Sequence, residues 1–286
     1  MRRKYAEILI GLGGVVLIGY LLLFQDVTQA VPAILIAITV NIVTTPIYVL
    51  IVEGIYNFKN LPLIIKTKIL YRNQDVRLSI SYLFRIRSNG KYLLVKNRKG
   101  NYYQLVGGAY KTLPGAEKVF KKYEVKTDRR FVTDDGIAKN DLRFRLPGQF
   151  VLRIIRWFNS REDRETSQWR EFCEELLTTN IIEDKEDKHA FRYIDYRYVK
   201  TIQTPIQKAK NLNCQEVLIF EIFDLVPNNE QIDVLNKLYQ KGDTDQVKWA
   251  DEIIINSLGF NERTKEMEYE IGAHTKWAVN EKYSKE

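Results

Sequence analysis

The sequence predicts a mixed α/β domain behind an N-terminal pair of membrane-spanning helices. Three observations carry this expectation. Two uncharged, apolar runs, 8–24 and 27–52, follow one another near the start. Beyond them, β-branched and aromatic runs alternate with turn signals. One charged, amphipathic segment, 164–177, then separates the early strands from the later ones.

The first apolar run is at the short end for a spanning helix. With the basic opening "MRRKYAE" it could also be a signal peptide. However, "FQDVTQAVP" is a poor cleavage site, and the second run is long enough to span with tilt. The pair reads as a hairpin turning at "QDVTQAVP", where Asp26 is the only charge. Arg2, Arg3 and Lys4 precede it, and Lys59, Lys66, Lys68 and Arg72 follow it, so both termini are expected in the cytoplasm. Ala33, Ala37, Asn41 and Thr45 recur every fourth residue of the second run. That face either packs on the first span or associates with other copies, since an asparagine in lipid needs a partner. Pro46 would kink the span near its end. The expected organisation is a hairpin at 1–56, a juxtamembrane connector at 57–75, and a cytoplasmic domain at 76–286.

The 286-residue chain carries a formal charge of +8. This favours an anionic partner, or reflects positive charge held beside a membrane. Cys173 and Cys214 are the only cysteines, too few for a disulfide framework or a cysteine zinc site. His189 and His274, the only histidines, lack ligand spacing and read as structural or surface residues.

Within the domain, "VRLSISYLFRIR" and "KYLLVKN" read as strands joined at Asn89-Gly90, a strong hairpin signal. "YYQLV" is a further strand ending at Gly107-Gly108. The stretch 109–161 reads as long, irregular and basic, with a helix at "FVLRIIRWF". "FRYIDYRYVKTIQ" and "CQEVLIFEIFDLVP" read as strands, and "NNEQIDVLNKLYQKG" as a helix with a glycine stop. "ADEIIINSLGF" is one more helix.

In the charged segment, Ser167 or Thr166 is the expected helix cap. A 3.6-residue period places Trp169, Phe172, Cys173 and Leu176 on one apolar face. Glu171, Glu174 and Glu175 share the other, where like charges repel. Such a face is either solvated or a site for a divalent cation, since Mg²⁺ takes carboxylate and phosphate oxygens. Arg170 at the edge could hold a glutamate through a bidentate pair.

The segment resembles a Nudix box, whose signature is G-x5-E-x7-R-E-U-x-E-E-x-G-U with U an apolar residue. Glu162, Arg170, Glu171, Glu174 and Glu175 match it, with Phe172 at the first U. "QLVGG" resembles the strand end that precedes the box. Arg156 and Leu177 replace both signature glycines, and Thr178 takes the last apolar place. The resemblance implies a Nudix-like α/β/α sandwich carrying 109–161 as a long insertion. It also implies Mg or Mn at Glu171, Glu174 and Glu175, catalytic only if the box is active. Arg129, Arg130, Arg143, Arg145, Arg153 and Arg156 lie in the insertion, as a lipid-facing surface or a clamp on a polyanion.

The spans, the divergent box, the insertion and "DLRFRLPGQFVLRIIRWFNSREDRETSQWREFCEEL" together resemble the membrane-bound Nudix effectors of bacterial CBASS anti-phage systems. This implies a domain that binds a cyclic di- or trinucleotide and triggers homo-oligomerisation and damage at the inner membrane. Gly107, Gly108, Arg143, Arg145 and Arg170 are the implied ligand contacts. Tyr102, Tyr103 and Trp157 are candidates for base stacking. No nucleic-acid polymer is an expected partner. The alternatives are a membrane-tethered Nudix hydrolase cleaving nucleoside diphosphate derivatives, and a lipid-anchored interaction module with no nucleotide affinity. A cyclic oligonucleotide offers no pyrophosphate, which leans the expectation away from an enzyme.

Overall fold

The computed structural model describes residues 61–98, 100–128, 140–209 and 212–280. The chain divides into two compact units, 1–64 and 65–286, and the second holds the architecture below apart from residues 61–64. The expected fold class needs one correction. Among the described residues, no helix is long and apolar enough to cross a membrane. Their longest helix, Asn229–Gln240, has 12 residues, where a span needs about 20. The runs at 8–24 and 27–52, with Ala33, Ala37, Asn41 and Thr45, lie outside the described residues. What the described residues form is a mixed α/β domain.

A short helix α1 (Leu61–Ile65) opens into a wider turn over Lys66–Leu70. Strand β1 (Asp75–Arg85) follows and is the axis of the domain. Val76, Leu78, Ile80, Tyr82 and Phe84 are fully buried on one face. Arg77, Ser79 and Ser81 alternate on the other, itself nearly closed. Next come β2 (Arg87–Ser88), the Asn89-Gly90 turn, and β3 (Lys91–Lys96). Asn89 and Gly90 have φ of 49° and 77°, the left-handed pair that a tight hairpin requires. Strands β4 (Tyr103–Leu105) and β5 (Gly107–Ala109) complete this part.

Residues 109–161 are more regular than the sequence implies. They form α2 (Ala116–Lys122), β6 (Lys126–Thr127), β7 (Arg143–Pro147) and α3 (Val151–Ser160). β7 lies antiparallel beside β1, with Arg77 opposite Arg145 and Ser79 opposite Arg143. Phe144 and Leu146 of β7, and Leu142 just before it, are buried. A strand hydrogen-bonded to the axis is part of the sheet, not an addition to its margin. Arg129 and Arg130 lie outside the described residues.

The rest comprises α4 (Trp169–Phe172), α5 (Lys185–Ala190), β8 (Asp195–Gln203), β9 (Gln207–Lys208) and β10 (Gln215–Val226). After these come α6 (Asn229–Gln240), β11 (Val247–Ala250), α7 (Glu252–Asn256), a small ribbon of β12 (Phe260–Asn261) with β13 (Glu266–Met267), and α8 (Ala273–Val279). The main sheet runs β6-β7-β1-β10-β8, with β5 also on β1 and β9 on β10. β1 and β10 are parallel over ten paired residues. A second sheet runs β11-β3-β2, with β4 on β3. Leu83, Leu94, Leu105, Ile202, Ile222, Ile271 and Trp277 share one core that both sheets and α8 enclose.

Candidate functional site

The three glutamates occupy α4 and the wide turn Cys173–Leu177 that extends it. Phe172 and Leu176, both fully buried, anchor this segment. Phe172 packs edge-on against Phe84 of β1 at 6.0 Å and lies 5.2 Å from Phe191. The expected apolar face holds at these two positions only. Trp169, at the start of the segment, is 37% exposed, and Cys173 is half-buried where the segment leaves α-helical winding. A turn with bonds five residues apart shifts the phase of every later side chain.

Arg170 is the hub. It donates to both oxygens of Glu165 (2.9 and 3.1 Å), to Glu171 (2.7 Å), to Glu174 (3.2 Å) and to the Ala109 carbonyl (2.8 Å). Glu165 therefore takes the bidentate role, while Glu162, which fits the signature spacing, is exposed. Glu165 also accepts from the Lys111 amide at 3.1 Å, which ties the box to the chain after β5.

Gly107 and Gly108 make room for the carboxylates. A Cβ on Gly108 would collide with the Glu171 carboxylate, and one on Gly107 with the Tyr82 carbonyl. Gly107 also has φ of 150°, a backbone shape that side chains rarely adopt. Its amide donates to Glu175 at 2.8 Å. Burial pushes the Glu175 carboxyl up to about 8, helped by the charge of Glu171. Glu171 is likewise raised by burial, against the pull of Arg170.

These groups form one wall of a cleft of about 410 Å³. Its floor is the polar face of β1, Arg77, Ser79 and Ser81, with Leu218 and Phe220 of β10. Arg98 and Arg143 line it with positive charge, and Arg98 donates to the Glu174 carbonyl at 2.9 Å. Tyr102, Gln104 and His274 line the same cleft. His274 lies flat on Phe220, with ring centres 5.6 Å apart and planes 6° from parallel.

A family model described as the SMODS-associated NUDIX domain matches residues 75–279. The chain belongs to that family. No curated protein and no solved structure matches it.

Of the expected SMODS-associated NUDIX site, Gly107, Gly108, Arg143, Glu171, Glu174 and Glu175 line one cleft. Arg170 stands behind it, holding the glutamates. Arg145 does not join them. It lines a neighbouring cleft with Lys126, Lys208 and Cys214, and its Nη2 sits 3.5 Å from Asp128. Tyr102 lines the site, whereas Tyr103 is 8% exposed and donates to the Asp245 carbonyl, and Trp157 is buried on α3. Sequence reasoning missed Gln104, Phe220 and His274. His274, read as structural or surface, comes from α8, a hundred residues beyond the box.

Nudix domains commonly use divalent metals. The all-oxygen donors Glu171, Glu174 and Glu175 suit Mg or Mn chemically. Their arrangement does not fit one: among the described residues, no three His, Cys, Asp or Glu side chains form a group that could hold a metal ion. Glu171 and Glu174 turn an oxygen to Arg170, and Glu175 turns one to Gly107.

Proposed function

We propose that this domain is the sensor of a CBASS-type anti-phage effector and binds a cyclic di- or trinucleotide in the glutamate cleft. One observation carries the reading. A single cleft pairs cationic Arg98 and Arg143 with the aromatic faces of Tyr102, Phe220 and His274. Arginines recognise phosphates, and aromatic rings stack on bases. Arg170 and the raised Glu175 carboxyl limit the repulsion that the glutamates would exert on an anionic ligand. Binding then gathers copies of the chain at the bacterial inner membrane and damages it. The SMODS-associated family supports the antiviral context.

The test is calorimetric titration of the full-length chain with a panel of cyclic di- and trinucleotides, followed by mass analysis of the recovered ligand. One member should bind and return intact. Arg98→Ala should weaken that binding by about tenfold, the scale of one charge-assisted hydrogen bond. Cleaved ligand would instead establish the hydrolase alternative. Absence of binding across the panel would overturn the sensor reading. In cells, Glu174→Gln with Glu175→Gln should leave phage protection intact.

A further inference from the structure

The aromatic end of the cleft carries a hydrogen-bond pattern that discriminates between bases. Gln104, on β4, is 8% exposed and lines the cleft. Its Oε1 accepts from Asn97 Nδ2 at 3.0 Å and lies 3.2 Å from His274 Nε2. Burial and the nearby Arg143 charge push the His274 pKa down to about 4, so the ring is neutral at physiological pH. A neutral imidazole facing an amide oxygen carries its proton on the facing nitrogen, so Nε2 donates. Both lone pairs of Gln104 Oε1 are thus engaged. Its Nε2 has no hydrogen-bond partner among the described residues and is not sealed from the cleft.

Stacking surface stands beside this amide. His274 lies against Phe220, and Tyr102 meets His274 edge-on at 6.4 Å and 81°. A base that stacks there meets Gln104 as a hydrogen-bond donor and not as an acceptor. We propose that this corner reads the nucleobase and selects a carbonyl edge, as in guanine or uracil, over an amino edge, as in adenine. The proposal rests on the reading that the cleft takes a nucleotide. A glutamine with both ends available pairs with adenine through N6 and N7. Gln104 cannot, because its oxygen already accepts two hydrogens. Guanine presents two acceptors, O6 and N7, to the same donor. Adenine offers that donor only N7, and its neighbouring amino group finds no acceptor on Gln104.

The experiment titrates the full-length chain with cyclic diguanylate, cyclic diuridylate and cyclic diadenylate. The guanine or the uracil ligand should bind at least about tenfold tighter than the adenine one, the scale of one unpaired buried group. Gln104→Glu keeps the acceptor for Asn97 and His274 and removes the donor, so it should collapse this ratio toward one. Equal affinities or an adenine preference in the unsubstituted chain would overturn the inference while leaving the nucleotide reading intact. An unchanged ratio in a folded Gln104→Glu variant would overturn it as well. Failure of all three ligands, and of their single-nucleotide counterparts, would bring down the nucleotide reading and this inference with it.

Discussion

Glu175 carries a proton-linked cost that the rest of the box must offset. Its folded carboxyl titrates near 8, well above an unfolded value of about 4.3. Below the unfolded value both states are protonated. Between about 4.3 and 8 the folded state keeps a proton that the unfolded chain has lost. Stability therefore falls as pH rises through this window, by up to about 1.4 kcal/mol per pH unit, and the loss is complete above 8. Glu175→Gln should remove that slope and still accept from Gly107. Urea midpoints at pH 5, 7 and 9 should diverge progressively in favour of the variant, and parallel curves would refute the assignment. The glutamates and Arg170 were legible as a set because adjacency and the i, i+3 and i+4 spacings are local properties. Glu165 was not, because its pairing depends on how the chain between α3 and α4 folds back on Lys111. Gln104 and His274 had no local signal, since each gains meaning only from the other.

At the scale of elements, helices with strong end signals form where the sequence places them. Asn228 caps α6, accepting from the Gln231 amide at 2.9 Å while the Gln231 side chain accepts from Asn228 at 3.1 Å. Asn228→Ala should cost about 1 kcal/mol, read as a shift in the urea midpoint with no change in slope. At the other end Gly242, with φ of 76°, takes the backbone shape that stops the helix. The box helix behaves differently. Periodicity assumed regular winding, whereas the segment opens into a wide turn at Cys173–Leu177, and neither Trp169 nor Cys173 is buried. Strand β7 shows the opposite error. Leu142, Phe144 and Leu146 alternate with Arg143 and Arg145, a period-2 pattern that the arginines obscured. Both arginines sit on the polar side of the sheet, where clefts replace a packed layer.

At the scale of the molecule, Arg77 ties distant parts of the chain together. From β1 it donates to Asp128 beyond β6 and to Glu216 on β10, each at 2.8 Å. Asp128 is 1% exposed and Glu216 is 7% exposed. Arg77→Ala would leave two buried carboxylates short of a partner and should cost about 3–5 kcal/mol in urea unfolding. A loss under 1 kcal/mol would show that Arg145, 3.5 Å from Asp128, already suffices. The sequence by itself determined β1, β3, β8, β10, α3 and α6, the Asn89-Gly90 turn and the charged box, because turn chemistry and hydrophobic period act over a few residues. Only the tertiary structure decided that β7 lies beside β1, that Glu165 rather than Glu162 holds Arg170, and that Gln104 and His274 share a cleft with the glutamates. Those outcomes depend on contacts between residues up to about 170 positions apart, whose partners are set by sheet order and packing and leave no mark on local spacing.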